Sequence, residues 1–572
     1  MDKILDIENL SVRFCTDGEP RTVVDHVSYS VFKGRTLGIV GESGSGKSVS
    51  SLAIMQLLPE KNCDVTSGRI SFYISNKESI DLLSLTRQQM EMYRGNHISM
   101  IFQEPMTSLN PVHKCGRQVM ENILAHERAS AKEARRRTLQ LFEEVQLPRP
   151  EKIFDSYPHQ ISGGQKQRVM IAMALACNPD VLIADEPTTA LDVTVQKGIM
   201  ELLNKLQRQH GMGIIFITHD LGVVAQIADD VAVMYHGQIV ETGTKEQVLG
   251  NPQHPYTRGL LACKPPLDSR PKRLNVVADY LAGNEPEPQT ESYEERTQRL
   301  TDIYYGKKPL LEVKDLSVTF PLEKTWTGRV KKSLTAVDGV SFEVYQGETL
   351  GLVGESGCGK TTLGRALLNL IEASSGNVIY NGIEISKLPA SKMRELRREI
   401  QIIFQDPYSS LNPRITAGGA IMEVLRCHGI GRNNAERHAK TLELMRSVGL
   451  DESHFHRYPH EFSGGQRQRI CIARTLALNP KLIICDESVS ALDVSVQAQV
   501  LNLLNDLKRQ YQFTYIFISH DLSVVRFISD RLLIMQKGSI VESGDADEIY
   551  ENPQQPYTKT LIESIPKMEI QK

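Results

Sequence analysis

The sequence has no apolar run that approaches the roughly 20 residues needed to span a bilayer. Its N-terminus, MDKILDIENLSVRF, lacks the apolar segment of a secretory signal. We therefore expect a chain that does not cross a membrane by itself. The nine cysteines include no C-x-x-C pair, which argues against a zinc ribbon or a disulfide framework and favours a reducing cytosol. With 66 basic and 69 acidic residues, the net charge of −3 gives no indication of a nucleic-acid partner.

An internal repeat organises what is present. The stretch YPHQISGGQKQR at 157–168 returns as YPHEFSGGQRQR at 458–469. Other paired residues, each separated by 301 positions, are Asp185 and Asp486, and His219 and His520. A chain of 572 residues is too long for one compact core, and the repeat predicts two homologous domains in tandem.

We place these domains at 1–266 and 309–572. The stretch 267–308 between them is polar, charged and proline-bearing. Such a composition predicts a semi-flexible linker. It leaves room for a short helix around Ser292 to Leu300, but not for a large third domain.

Short apolar runs that end in polar turns predict strands buried on both faces, as in a parallel sheet. In the first half these runs are TLGIVGESG, ISMIFQEP, VLIADEP and GIIFITHD. Between Gln103 and the SGGQ run the apolar spacing becomes helical, with Leu139, Phe142 and Val145 on one face. Each domain is therefore predicted to be an α/β core with a helical insertion.

A glycine-rich loop follows one predicted strand in each half, GESGSGKS from Gly41 and GESGCGKT from Gly354. Glycines let backbone N–H groups surround nucleotide phosphates, the lysine supplies positive charge, and the last hydroxyl serves Mg²⁺. A flexible glycine loop without a ligand is the alternative interpretation. The occurrence of two such loops at matching places in the repeat argues against it. The predicted nucleotide-binding residues are Gly41, Ser43, Gly44, Gly46, Lys47, Ser48, Gly354, Ser356, Gly357, Gly359, Lys360 and Thr361.

Polar residues at the ends of other strands predict the reacting groups, because the carboxyl ends of parallel strands face the ligand crevice. In each Asp-Glu pair the aspartate is expected to support Mg²⁺ and the glutamate to polarise water. The histidine is expected to bond the γ-phosphate, and the glutamine to bind Mg²⁺ or the attacking water. A lone strand-end histidine or glutamine is more often structural, so these roles depend on the repeat. The predicted catalytic residues are Glu186, Glu487, His219, His520, Gln103 and Gln405. The predicted metal ligands are Ser48, Gln103, Asp185, Thr361, Gln405 and Asp486.

With these motifs present twice and in order, the sequence resembles two nucleotide-binding domains of the ABC ATPase superfamily, fused head to tail. The resemblance implies ATP hydrolysis with Mg²⁺ and an α/β fold of two tandem ABC-type P-loop NTPase domains. Each domain would have a RecA-like parallel-sheet core, an antiparallel β part and a helical subdomain. The resemblance also identifies the D-loops, Ala190-Leu191-Asp192 and Ala491-Leu492-Asp493.

In this family the SGGQ signature begins a helix that approaches the ATP held by the opposite domain. The first phosphate loop would therefore be completed by Ser463, Gly464, Gly465 and Gln466. The second would be completed by Ser162, Gly163, Gly164 and Gln165. Phe14 and Phe320 lie at the family's adenine-stacking position, although core packing explains them equally well. Ser488 stands where proline often follows the glutamate, which predicts a looser Glu487 loop.

The flanking motifs YPHQ/YPHE and NPQ-x-PYT resemble the dipeptide/oligopeptide importer subfamily, in which D-type and F-type ATPase subunits are usually separate chains. The resemblance implies import of peptides or peptide-like solutes by two integral-membrane permease subunits and an extracytoplasmic solute-binding protein. It places this chain on the cytoplasmic face of a bacterial inner membrane. Cys263 stands alone where D-type subunits often carry a cysteine cluster, so no iron–sulfur cluster is expected. NPQHPYT itself is expected to be a surface loop.

Two other functions compete with import. One is a soluble tandem ABC protein acting on ribosomes or nucleic acid, which generally has a long charged helical linker or zinc cysteines. The other is a nucleotide-binding regulator without turnover, which two intact glutamates disfavour. The sequence does not name the solute, because solute choice lies with the other chains of such importers.

Overall fold

The computed structural model describes residues 2–16, 19–59, 61–75, 78–103, 108–188, 191–287, 289–324 and 330–565. The described strands of the first half are β1 (Lys3–Thr16), β2 (Glu19–Phe32), β3 (Thr36–Val40), β4 (Cys63–Ser75), β5 (Glu78–Asp81), β6 (Ile98–Ile101), β7 (Val181–Asp185), β8 (Gly213–Thr218), β9 (Asp230–Tyr235) and β10 (Gln238–Thr244). They form two sheets. An antiparallel sheet has the order β2-β1-β4-β5, and a second sheet has the order β10-β9-β3-β8-β7-β6. The second sheet is parallel except for β10.

Every residue of β3, β7 and β8 is buried, in agreement with the continuous apolar runs TLGIV, VLIAD and GIIFIT. The described helices of this half are α1 (Lys47–Ile54), α2 (Arg87–Met90), α3 (Cys115–His126), α4 (Ala131–Glu144), α5 (Pro150–Asp155), α6 (Gly163–Ala174), α7 (Val193–His210), α8 (Leu221–Ile227), α9 (Lys245–Gly250) and α10 (Pro255–Ala262). Helices α3 to α5 form the predicted insertion between β6 and the signature helix α6. Their apolar faces share one core with the parallel sheet, and Val119 and Phe142 are fully buried in it.

The second half repeats this plan. Its described strands are β11 (Leu311–Lys324), β12 (Val330–Val344), β13 (Thr349–Val353), β14 (Ser375–Tyr380), β15 (Ile383–Glu384), β16 (Ile400–Ile403), β17 (Leu482–Asp486), β18 (Thr514–Ser519), β19 (Arg531–Gln536) and β20 (Ser539–Asp545). The sheet orders are β12-β11-β14-β15 and β16-β17-β18-β13-β19-β20. Its described helices are α13 (Lys360–Leu367), α14 (Ala390–Leu396), α15 (Ala417–Cys427), α16 (Asn434–Ser447), α17 (Gly464–Leu476), α18 (Val494–Tyr511), α19 (Leu522–Ile528), α20 (Ala546–Glu551) and α21 (Pro556–Glu563). The predicted fold class is confirmed.

The segment between the halves is more ordered than the semi-flexible linker that its composition predicts. It contains α11 (Val277–Leu281) and α12 (Tyr293–Tyr304), and Ser292 caps α12 in a capping box with Glu295. The backbone of Leu274 exchanges two hydrogen bonds with the Asn502 amide, both 2.9 Å. The segment therefore folds against the second half.

One buried apolar cluster crosses from the first half to the second. It includes Tyr256 and Leu260 of α10, Leu274 and Val277 of the connecting segment, and the helical subdomain of the second half. Burial of this shared surface favours a fixed arrangement of the two halves. Over the described ranges, none of the helices has both the length and the apolar character that membrane crossing requires.

Candidate functional site

The two phosphate loops lie between a buried strand and a helix, as the sequence predicts. Gly46 and Gly359 begin the helices with φ of 100° and 111°, a backbone region that residues with a Cβ rarely adopt. The Lys47 ammonium donates to the carbonyl oxygens of Gly41 and Glu42, both at 2.8 Å. Lys360 makes the same pair of bonds in the second half. Each lysine thus lies across its own loop, where a bound phosphate would contact it.

A hydroxyl and an aspartate meet beside each lysine. Ser48 Oγ donates to Asp185 Oδ1 at 3.0 Å, and Thr361 Oγ1 donates to Asp486 Oδ1 at 2.9 Å. Burial raises the pKa of Asp185 to about 6 and also raises the pKa of Asp486. The second oxygen of Asp486, Oδ2, is buried and has no hydrogen-bond partner among the described residues. A buried carboxylate with a free oxygen beside a hydroxyl suits a hard cation such as Mg²⁺.

The predicted catalytic groups converge on one glutamate in each half. Gln103 Nε2 donates to Glu186 Oε2 at 3.1 Å, and His219 Nδ1 lies 3.2 Å from Glu186 Oε1. Burial alone would lower the pKa of His219, but the bond to Glu186 raises it above its ordinary value. The structure thus brings together three residues that are far apart in sequence.

The second half repeats the convergence. Gln405 Nε2 donates to Glu487 Oε2 at 2.8 Å, and His520 Nδ1 lies 3.5 Å from the same oxygen. Glu186 and Glu487 have left-handed φ values of 45° and 46°. The two glutamates therefore share one strained backbone conformation, of a kind that clusters at functional sites, although Ser488 follows one and Pro187 the other.

The SGGQ motif forms the start of a helix. Ser162 caps α6, with its hydroxyl accepting from the Gln165 N–H, and the Gln165 side chain accepts from the Ser162 N–H. Ser463 and Gln466 form the same capping box at α17. The serine and the first glycine of each motif are exposed. An exposed helix N-terminus with free backbone approach is suited to binding an anion.

In each half the signature lies beside the D-loop, and the aspartate of the D-loop bonds to the phosphate loop of the other half. A Cβ at Gly163 would lie 3.8 Å from Leu191, the residue before Asp192. Asp192 Oδ1 accepts from the Ser356 N–H of the second phosphate loop at 2.5 Å. Asp493 accepts from both the N–H and the hydroxyl of Ser43, at 2.8 and 3.0 Å. Each signature therefore lies next to a segment that contacts the opposite phosphate loop. Ala190 and residues 104–107, which follow Gln103, lie outside the described residues.

The predicted adenine contacts have different surroundings. Phe14 is half-buried and packs against the core of the first half, whereas Phe320 is 36% exposed on β11. Their role in adenine stacking stays a prediction. Cys263 is buried just after α10.

Sequence reasoning missed a set of residues around the phosphate loops. Thr194 Oγ1 donates to Glu355 Oε1 at 2.8 Å, and Ser495 Oγ donates to Glu42 Oε1, both across the halves. NPQHPYT is a surface loop over 251–254, as expected, but its last three residues begin α10. Tyr256 there is fully buried, and its phenol oxygen accepts from the Glu42 N–H. The available signal was their duplication in register: Thr194 and Ser495 are separated by the same 301 positions as the recognised motifs.

Comparison with known proteins gives matches over nearly the whole chain. The ABC transporter family profile matches residues 24–189 and 337–490, and the oligopeptide/dipeptide transporter C-terminal region matches 240–293 and 541–572. The glutathione import ATP-binding protein GsiA of Salmonella choleraesuis (strain SC-B67) is 50% identical, over 98% of this chain and 89% of that protein. GsiA of Escherichia coli (strain K12) is also 50% identical, over 99% of this chain and 90% of that protein. Among solved structures, the dimeric post-hydrolysis cassette MJ0796 bound to ADP and Pi covers 41% of this chain and 98% of its own, with 26% identity and a TM-score of 0.38.

Proposed function

The chain belongs to the ABC transporter family and is an ATPase with two ATP-binding cassettes, and from that premise we propose that it powers import of glutathione or other short peptides. The oligopeptide/dipeptide transporter region in both halves supports this proposal. So does 50% identity to glutathione import ATP-binding proteins over almost the whole chain. The structural observation that carries the ATPase part of the proposal is the duplicated centre in which glutamine, glutamate and histidine converge, beside a phosphate loop bonded to the opposite half.

In the proposed mechanism, Lys47 and the first phosphate loop hold the ATP phosphates, and Glu186 accepts a proton from the attacking water. Gln103 and His219 orient the Glu186 carboxylate through the bonds described above. Ser48 and Asp185 would hold Mg²⁺, which supplies positive charge against the phosphate oxygens. At the other site, Lys360 and Glu487 have the same roles. Gln405 orients the Glu487 carboxylate by its hydrogen bond, and His520 lies 3.5 Å from that carboxylate. Each signature serine and its helix N-terminus complete the site of the opposite half.

The chain is further proposed to act with two integral-membrane permeases and a solute-binding protein, at the cytoplasmic face of the inner membrane. ATP-driven closure of the halves would reach the permeases through the segments after Gln103 and Gln405. Residues 1–266 and 309–572 are the proposed ATPase domains, connected by 267–308. No nucleic acid, zinc or iron–sulfur cluster enters this proposal.

The test is ATP-dependent uptake in proteoliposomes that contain this chain and its two permease subunits, with the matching binding protein added outside. We expect labelled glutathione or a short peptide to accumulate. The matched control is the Glu186→Gln, Glu487→Gln double variant, which should assemble and bind ATP without supporting uptake. An active ATPase that associates with ribosomes and not with the permeases would favour the soluble alternative. Uptake of peptides but not glutathione would correct only the solute.

A further inference from the structure

The two NPQ-x-PYT motifs are held by the same pair of hydrogen bonds to a glutamate in each half. In the first half, Glu241 on β10 accepts from the backbone N–H groups of Gln253 and His254, at 2.7 and 3.2 Å. In the second half, Glu542 on β20 accepts from Gln554 and Gln555 at 2.8 and 3.2 Å. A carboxylate that accepts two successive N–H groups fixes the turn. The following helix, α10 or α21, therefore starts at a defined place.

The tyrosine in this helix contacts the phosphate loop of its own half. Tyr256 is fully buried, stacks on the Tyr235 ring with centroids 4.1 Å apart, and its phenol oxygen accepts from the Glu42 N–H at 3.1 Å. Tyr557 accepts from the Glu355 N–H at the same distance of 3.1 Å. These two N–H groups belong to the second residue of each loop. The same hydrogen bond occurs in both halves, which indicates that it is a regular feature of each domain.

Glu42 is held at three points. Its N–H donates to Tyr256, its carbonyl oxygen accepts from Lys47 at 2.8 Å, and its carboxylate accepts from Ser495 of the opposite half. In the second half, Tyr557, Lys360 and Thr194 hold Glu355 in the same way. Each of these glutamates is thus held from its own half by a phenol at its N–H, and from the other half by a hydroxyl at its carboxylate.

The tyrosine helices also lie at the contact between the halves. Leu260 and Leu261 of α10 share a small cavity with Val494, the residue between Asp493 and Ser495. Helix α21 packs against α7, which follows the first D-loop. A movement of one half relative to the other therefore acts on the helix that carries the tyrosine.

We propose that Tyr256 and Tyr557 are positioning residues, whose phenols fix the second peptide group of each phosphate loop and thereby set its affinity for ATP phosphates. This inference rests on the phosphate loops being the ATP sites. Removing the phenol leaves the glutamate N–H without its acceptor, so the loop loses its preferred shape before nucleotide binds. The C-terminal importer region thereby becomes part of the ATPase site.

The test uses the full chain with one site active at a time. In a Lys360→Ala background, Tyr256→Phe keeps the ring packing and removes one hydroxyl. We expect ATP to bind about 3- to 10-fold more weakly, the scale of one hydrogen bond, with KM raised and kcat little changed. Tyr557→Phe should leave this site unchanged but weaken the other site in a Lys47→Ala background. Tyr235→Phe is the matched control, because it removes a hydroxyl from the ring stacked on Tyr256 and leaves the bond to Glu42 in place.

A Tyr256→Phe variant that binds ATP as tightly as its parent, with or without a lower melting temperature, would overturn the inference and leave a packing role. Equal weakening by Tyr235→Phe would also overturn it, since the effect would then not depend on the bond to Glu42. If the unmodified chain bound no ATP, the assignment of the phosphate loops would fail instead. A lower affinity at unchanged melting temperature supports the positioning role.

Discussion

The two halves carry the same reacting groups but differ in what lies against them. In the second half, Asp530 is 1% exposed and contacts Lys508 at 3.1 Å and Arg299 from the connecting segment. Its counterpart Asp229 is exposed and accepts from the Thr36 N–H at 2.8 Å. Where the second half has Lys508, the first has Gln207, which bonds the Thr36 hydroxyl. The connecting segment is therefore held by a buried charge cluster that includes Lys508, for which the first half has no equivalent charge.

The reacting centres do not share this asymmetry. Glu186 and Glu487 have φ values within 1° of each other, and each accepts from a glutamine. Each phosphate loop bonds to an aspartate of the other half. The halves have thus diverged at the surface that binds the connecting segment, while the chemistry stayed duplicated. This comparison leads us to expect two working sites in a scaffold whose halves differ in stability.

The largest expected effect is loss of turnover in the Glu186→Gln, Glu487→Gln double variant. The glutamates act on water while the phosphate loops hold ATP, so binding should persist. Removing one catalytic group typically costs about 10²–10³ in rate. Steady-state ATPase and an ATP titration check this, with each single variant as the control for equivalence of the sites. Near-normal ATPase in the double variant would refute the assigned role.

The crossed arrangement predicts which residues disable the same site. Ser162→Arg should damage the site of Lys360, because the signature is expected to complete the opposite half. Adding Lys360→Ala should then cost little more, whereas adding Lys47→Ala should remove nearly all ATPase activity, since non-additivity marks residues that act at one site. The opposite pattern, redundancy with Lys47→Ala, would mean that each signature serves its own half.

Much of the fold and of the reacting centre could be predicted from the sequence. The residues that form them belong to types whose backbone conformation or charge suits only a few kinds of position. The runs TLGIV and VLIAD predict buried strands, and the capping box makes SGGQ a helix start. The bond from Glu42 to Tyr256 could not be predicted, since it joins residues 214 positions apart through a backbone N–H that no motif reports. The packing of the connecting segment against the second half could not be predicted either. Its many charged residues suggest solvent exposure, and the sequence does not show that Arg299 contacts the buried Asp530.

Stability should distinguish the halves more than activity does. Asp530→Asn removes a buried carboxylate from between Lys508 and Arg299. Breaking a buried ion pair by removing one partner costs about 3–5 kcal/mol of unfolding free energy. The matched variant, Asp229→Asn, changes an exposed group and should cost about 1 kcal/mol or less. Denaturant unfolding of both variants measures the difference. Equal losses would mean that the charge cluster does not stabilise the second half.

The same aspartate predicts a pH dependence. Burial alone would raise the pKa of Asp530, but Lys508, Arg299 and Arg270 hold it well below its usual range. A depressed pKa in the folded protein stabilises above the unfolded value of about 3.9, and this contribution is lost as pH falls below that value. The difference between Asp530→Asn and the parent chain should therefore be complete at pH 6 and shrink under acid unfolding. A constant difference down to pH 3 would contradict this sign.

The smallest expected effect concerns a contact of the first half alone. Lys264 lies 3.3 Å from Asp220, the residue after His219, whereas the equivalent position 565 in the second half is isoleucine. Asp220 also accepts from the Gly222 N–H at 2.7 Å, so its helix cap persists without the lysine. A partly exposed ion pair contributes about 1 kcal/mol at most.

In a Lys360→Ala background, Lys264→Gln should therefore lower ATPase activity by about two- to threefold, and less at high salt because screening already weakens the pair. In a Lys47→Ala background the same change should have no effect, since the second site has no such lysine. Equal losses at both sites would show that Lys264 acts through the contact between the halves rather than through Asp220.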